Sequence, residues 1–342
     1  MSGFSTCANC GGELVFNPES SMLVCDRCAS TFPVKDGKNE FVRRVYSSSY
    51  SPNENRNEVI KYVCETCGAK SVVGTSGEVK RCASCGNTTL RKEKSMTIVP
   101  DGIIPFSISR KKAGEIFRSW VGTRKFAPSD LKEMARLEKI SGLYTPVWNF
   151  NFTDVFRYNG TAIKIKTDSD GNQDIREIDL DKVKETRHSN VLFSGSTRIS
   201  NEFLEGMGDY DFNKARPYST DYLLGFAGID TDEDIHNIYA EMTNQISKDN
   251  KRKMKIRLQK EYDRIDEVNF STRFKDVAFN YAHVPVWANH YSYKGKEYHC
   301  FINGQTGKAT GKAPKSILKI GGLVLGILAG IGAVVGIIIS LL

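Results

Sequence analysis

The chain has 342 residues, 48 Lys+Arg against 40 Asp+Glu for a formal charge of +8, and 40% hydrophobic residues. That length holds two or three domains, and the composition excludes a disordered, collagenous or wholly membrane-embedded chain. Its opening, MSGFSTCANC, lacks a basic stretch followed by an apolar one, so no N-terminal signal is expected.

The N-terminal region carries the first chemistry. Cys7 and Cys10 are followed by Cys25 and Cys28, and the set recurs 57 residues later as Cys64, Cys67, Cys82 and Cys85. Fourteen residues separate the two CxxC pairs in both units, which marks an internal duplication. A CxxC turn presents two thiolates to one tetrahedral ion, and a short hairpin returns the second turn to the same ion. Two structural Zn²⁺ sites are expected; iron–sulfur and redox-active CxxC are the remaining readings. Four thiolates leave no coordination position open, so such sites brace structure and do not catalyse. Units this small need their metal to fold. Gly11, Gly68 and Gly86 follow a CxxC directly, whereas Ala29 stands in the fourth such place. Each bound site carries −2, which lowers the folded charge to about +4 and suits an anionic leaflet without demanding nucleic acid.

The units have the form of zinc ribbons at 1–40 and 61–95, joined by a linker at 41–60 whose polar core is SSSYSPNENRNE (47–58). Phe16, Phe32 and Tyr62 are few, and Arg27, Lys80 and Arg81 are mixed with Glu13, Asp26, Glu65 and Glu78. A nucleic-acid ribbon interleaves aromatic and basic side chains on one face, so protein binding or spacing is the favoured role.

Residues 96–307 read as an α+β body with antiparallel sheets. Ser107 or Ser109 can cap a helix with Ile116, Phe117 and Trp120 inward; Pro128-Ser129-Asp130 opens another with Leu131, Met134, Ala135 and Leu137 inward. The aromatic stretch Tyr144 to Tyr158 and the segments around Asp170-Gly171 predict strands and a hairpin. Asp168, Asp170, Asn172 and Asp174 resemble a calcium loop, but Gln173 and Asp179 stand where that loop needs Gly and Glu, so a solvated tip is expected. A helical insert lies near 231–266, capped by Thr231, with Ile235, Ile238, Tyr239, Met242 and Ile246 on one face and a basic run KRKMKIR from Lys251 to Arg257. Pro146-Val-Trp148 recurs as Pro285-Val-Trp287 and suggests two related sheet halves. Asn303-Gly-Gln-Thr-Gly-Lys308 fails the phosphate-loop pattern at Ile302 and Ala309 and reads as a Gly-rich hairpin. His188, His236, His283, His290 and His299 accompany no HExxH, nucleophile elbow or dinucleotide fingerprint, so the chain is read as non-catalytic.

The last stretch, Ile320 to Leu342, has no charged residue and one polar side chain, Ser340. As a helix it reaches about 34 Å, enough for the ~30 Å hydrocarbon core. Lys308, Lys312, Lys315 and Lys319 form a basic juxtamembrane segment (308–319) and, by the positive-inside rule, keep the body cytoplasmic. Gly322, Gly326 and Gly330 recur at the spacing that lets membrane helices associate. The expected fold is therefore multidomain: two small β ribbons, the α+β body and one transmembrane helix (320–342).

The paired CxxC units, Ile104-Pro105-Phe106, Tyr144-Thr-Pro-Val-Trp148, the block from Pro217 to Phe226, Pro285-Val-Trp287 through Gly307, and the apolar tail together resemble a bacterial family. These are tail-anchored membrane proteins with TFIIB-type double zinc ribbons, typically encoded beside phage-shock-protein-A and SPFH (flotillin-like) proteins. The resemblance implies a non-catalytic inner-membrane adaptor that recruits such cytosolic partners in the envelope-stress response. The alternative is a membrane-tethered nucleic-acid-binding protein using the ribbons and KRKMKIR.

Overall fold

The computed structural model describes residues 6–37, 41–51, 56–72, 82, 87–128, 130–131 and 140–341. Met134, Ala135 and Leu137 of the second expected helix, Glu78, Lys80 and Arg81, and the ligand Cys85 lie outside them.

Three short strands, β1 (Leu14–Asn17), β2 (Met22–Cys25) and β3 (Thr31–Pro33), form an antiparallel sheet around the first cysteine unit. All later strands join one sheet, with twelve strands among the described residues: β4 (Arg44–Val45), β5 (Arg56–Cys64), β6 (Lys70–Val72), β7 (Leu90–Ile98), β8 (Gly102–Ile103), β9 (Ile140–Thr167), β10 (Gln173–Ser194), β11 (Arg216–Pro217), β12 (Ala227–Ile229), β13 (Arg264–Tyr293), β14 (Lys296–Asn303) and β15 (Ala309–Gly311). Its backbone path runs β11-β8-β13-β9-β12-β6-β5-β7, with β10 on β9 and β14 on β13. Pairing is antiparallel except at β12/β9 and β13/β8. The result is a sheet-rich α+β body with antiparallel and mixed pairing.

Two strands dominate. β9 and β13 pair from Ile140↔Asn289 to Arg264↔Ile163. At the Ile140 end both faces are covered: Tyr144, Trp148, Phe150, Phe279 and Trp287 lie on one side, and Leu143, Val147, Ala282, Val284 and Val286 on the other. Toward residue 167 the faces open to solvent, and β9, β10 and β13 continue as a three-stranded arm. A bulge between Ile265 and Val268 faces Gly160 (φ +156), where a Cβ would lie 1.9 Å from the Glu267 carbonyl oxygen, so only glycine fits. The two Pro-Val-Trp motifs lie on these neighbouring strands, Pro146 opposite His283 and Pro285 opposite Tyr144. They belong to one sheet, where sequence suggests two halves.

Among the described residues, four α-helices accompany the sheets. Ser109 caps α1 (Arg110–Gly122), and Phe117 and Trp120 face inward as the periodicity predicts. Six-residue α2 (Asn201–Gly206) precedes the long α3 (Ile235–Glu261). Asp234, not Thr231, caps α3, its side chain accepting from the His236 N–H; the Thr231 hydroxyl instead donates to Gly195 O. Ile235, Ile238 and Met242 are buried against β9 and β13. At the far end of α3, Arg252 pairs with Asp249 and Arg257 with Glu261, the solvated face expected of KRKMKIR. The Asp168 turn closes on its own backbone, its carboxylate accepting from Asp170 N and Asn172 N. Asn303 likewise organises a Gly-rich hairpin, accepting from Gln305 N and Thr306 N.

The fourth helix, α4 (Ile317–Leu341), begins three residues before the apolar run. Ser316 N donates to Phe126 O at 2.7 Å and Lys319 Nζ to Ala127 O at 2.7 Å, which ties its start to the body. Beyond that start the helix is bare: Ile317–Val335 has a mean hydropathy of 2.2 with none of it buried, and a Cβ at Gly322, Gly326 or Gly330 would meet nothing within 4 Å. By length and composition it can cross a membrane.

Candidate metal centres

The four CxxC turns share one backbone device. The N–H of the first cysteine donates to the carbonyl five residues on in each: Cys7 to Gly12, Cys25 to Ser30, Cys64 to Ala69 and Cys82 to Asn87, at 2.7–2.9 Å. In three of them the N–H four residues on also returns to the cysteine carbonyl, from Gly11, Ala29 and Gly68. Those residues take left-handed φ values of +71°, +58° and +69°. Glycine adopts that conformation freely; Ala29 pays a steric penalty for it. The duplication read from sequence is therefore a duplication of geometry.

These turns aim the sulfurs at common points. Cys7, Cys10, Cys25 and Cys28 have all four Sγ atoms within 4.8 Å of one another, and so do the three described ligands Cys64, Cys67 and Cys82. Cys7–Cys28 and Cys10–Cys25 are 3.5 Å apart and Cys67–Cys82 3.6 Å. A tetrahedron with metal–sulfur bonds of about 2.3 Å has edges of about 3.8 Å, so the donor sets fit zinc. None of the seven forms a disulfide. The Ser30 hydroxyl and backbone N–H hold the Cys28 thiol below its ordinary range, while at Cys10 the lowering by the Gly12 N–H is outweighed by the neighbouring sulfurs, which push it above that range, as expected of thiols crowded together. With four sulfurs around an ion, the first site has no place for a substrate or a water.

Both units are built into the body, where sequence reads them as separate ribbons joined by a flexible linker. Phe16 is 1% exposed and meets Tyr222 edge-to-face at 5.3 Å, while its N–H donates to Leu224 O. Lys35 N donates to the Asp221 carboxylate, and Tyr222 OH to Asp36. The first unit thus docks on residues 221–226. The second joins the sheet through β6, which pairs with β12 at Gly228 and Ile229. Next along the chain, buried Asp230 takes an ion pair from Lys61 of β5 and a hydrogen bond from Thr97 of β7. Between the units, Tyr46 stacks on Tyr239 at 3.9 Å, and His236 is held by Tyr46 OH and Tyr50 O. Sequence could not show this, because tyrosines in a polar stretch look solvated until their partners 190 residues away are known. Phe16 and Tyr62 are buried and offer no platform for a nucleobase.

His188 stacks on Phe152 and pairs with the buried Asp154 carboxylate; the other three histidines fall into two kinds. His290 and His299 are directly paired across β13 and β14, Nδ1 to Nδ1 at 2.6 Å. They line a cleft of about 220 Å³ with Arg198 and Phe203. His283 is 3% exposed against the rings of Tyr218 and Tyr281, and neither ring nitrogen has a hydrogen-bond partner among the described residues. Burial lowers its pKa to about 3. Cys300 is buried, and burial raises its thiol well above the ordinary range.

Comparison with known proteins agrees with the metal geometry. Residues 6–37, which contain the whole first site, match the model of the Trm112p-like protein family. Over 336 residues the chain is 23% identical to "Uncharacterized protein YdjG" of Bacillus subtilis (strain 168), covering 95% of this chain and 94% of that protein. No solved structure matches. The chain therefore begins with a Trm112p-like zinc-binding unit, continues into a second cysteine cluster, and ends in an apolar helix long enough to cross a bilayer.

Proposed function

We propose that this protein is a non-catalytic, single-pass membrane adaptor. Two structural zinc sites, of the TFIIB-type ribbon kind in the resemblance, brace a cytoplasmic α+β body. α4 anchors that body in the cell (inner) membrane, and the body recruits cytosolic partners, SPFH or phage-shock-protein-A-like proteins by that resemblance, in the envelope-stress response. One observation carries the reading: a folded body with two cysteine clusters, the first a complete four-sulfur set, leads into an apolar helix whose residues Ile317–Val335 are not buried by any described part of the body. In water such a helix exposes a large apolar surface at high cost; in lipid the cost disappears. Tethering then raises the effective concentration of any partner the body binds.

Crosslinking in native membranes, followed by capture of the full chain, tests the assignment. Adaptor function predicts a specific cytosolic protein in the capture, and its loss from the membrane fraction when residues 317–342 are deleted. Absence of any companion, or release of the intact chain by carbonate washing, would sink it. Salt-sensitive capture of nucleic acid in place of protein would favour the alternative.

A further inference from the structure

The point where α4 leaves the body gathers basic residues from three distant stretches. Arg124 and Lys125 follow α1, and the next two residues accept the bonds from Ser316 and Lys319 that fix the helix start. The β13–β14 turn brings Lys294 and Lys296, and Tyr293 OH just before it donates to Asp130 at 3.1 Å. The approach to α4 brings Lys315 and Lys319, and upstream of them Lys312 O accepts from Tyr291 OH. All six cations are exposed.

What separates them from the cations of the arm is the lack of an acidic partner: Lys319 bonds to Ala127 O, and Arg124 and Lys294 lie over the rings of Trp120 and Tyr293. In the arm Arg157 pairs with Asp181, Arg176 with Asp174, Arg264 with Asp266 and Lys275 with Glu185. Among the described residues, none of the six at the helix exit makes an ion pair, and the acids on those three stretches are Asp130 and Glu297. A cluster of like charges costs self-repulsion unless a counter-charge meets it. An anionic leaflet supplies that charge at the place where the span would enter it.

We infer that this face, formed by residues 124–127, the 293–296 turn and 315–319, is a docking surface for anionic phospholipid headgroups that sets the body in one orientation on the membrane. The inference rests on α4 as the membrane span. It assigns lipid contact to the anchor end of the sheet and not to KRKMKIR. That run sits beside the far end of β13, whose 30 residues cover roughly 100 Å at about 3.3 Å each.

Hydrogen exchange of the full chain in lipid nanodiscs tests it, comparing phosphatidylglycerol-rich with pure phosphatidylcholine discs. Neutralising one surface cation weakens attraction about fivefold, so the amides of 120–127 and 293–297 are expected to exchange at least about tenfold more slowly in the anionic discs. High salt and the combined variant R124E/K125E/K294E/K296E should each abolish the difference. K251E/K253E, on α3, should leave it intact, and unchanged zinc content reports that the variants fold. A chain that stays in carbonate-washed discs but exchanges alike in both lipids overturns the docking surface while leaving the span standing. Extraction into the carbonate supernatant overturns the span and this inference together.

Discussion

The ion pair between Lys61 and Asp230 joins the second metal unit to the body and gives the sharpest test of how that unit is held. Lys61 is 4% exposed and Asp230 8%. Among the described residues, the further side-chain hydrogen bonds of the pair are a 3.4 Å bond from Lys61 to Met96 O and one from the Thr97 hydroxyl to Asp230. Removing one member leaves the other charged and buried, which costs about 3–5 kcal/mol, whereas replacing both with apolar groups of similar volume is neutral or stabilising. Asp230→Ala should therefore cost about 3–5 kcal/mol, Lys61→Met a similar amount, and the double change K61M/D230L far less than their sum. The loss should appear first in the second unit, because the side chains that bind Asp230, Lys61 and Thr97, lie on β5 and β7. Hydrogen exchange of amides in 56–64 and 90–98 reads it directly, with acceleration of about 100-fold to a few thousand-fold in each single variant. A thermodynamic cycle showing coupling below about 1 kcal/mol would mean that the pair is effectively solvated, and the clamp argument would fail.

Three further expectations follow from single sites. His283 has a folded pKa lowered to about 3 against an unfolded value near 6.5, so the unfolded chain binds the extra proton and stability falls as pH drops from about 6.5 toward 3. At pH 5 the loss is about 2 kcal/mol; His283→Phe should flatten that limb in urea titrations at pH 7 and pH 5, and an unchanged limb would refute the assignment. At the metal turns, Gly11 has open space for a Cβ and φ +71° whereas Ala29 holds φ +58°, so Gly11→Ala should cost about 1 kcal/mol and Ala29→Gly should move stability the other way by up to ~1 kcal/mol. Chelator competition reads both, and shifts of the same sign would reject the backbone explanation. Cys25→Ser should lower the zinc content of the purified chain from two equivalents to one by elemental analysis, and retention of two would show that the first cluster is not a site of its own.

The chemistry was legible in the sequence because it repeats and is local. Two CxxC pairs at a fixed gap, three of the four turns followed by a glycine suited to a left-handed φ, define the sulfur cluster without knowledge of anything distant. Ser109 as a cap, the Phe117 and Trp120 stripe and the Asp168 turn were legible for the same reason. What escaped was long-range pairing. Tyr46 and Tyr50 look like linker residues until Tyr239, His236 and Phe279 face them. Lys61 looks like an ordinary surface lysine of a strand until Asp230 reaches it. Phe16 gives no hint in a short hairpin that Tyr222 will cover it. Each of these contacts closes a loop of 169 residues or more, and no periodicity within a strand or helix encodes its partner.

The same contacts explain why the block Pro217 to Phe226 stands out in a chain otherwise read by its cysteines. The first metal unit rests on residues 221–226 through Phe16, Lys35 and Asp36. The second adds its strands to 227–229 and its clamp to Asp230. One stretch of about ten residues therefore receives both units, and its strand β12 lies parallel to β9 at Leu143 and Tyr144, where the sheet core begins. A metal-braced hairpin is rigid because its ion fixes four backbone points at once, so two such hairpins pressed on one segment hold that segment more firmly than its own short hydrogen-bonded pairs could. Zinc stripped from either site should then loosen residues 221–230 before the β9–β13 core. Hydrogen exchange of that segment after chelation checks this, and protection that survives loss of both metals would show that the hub is held by its apolar contacts alone.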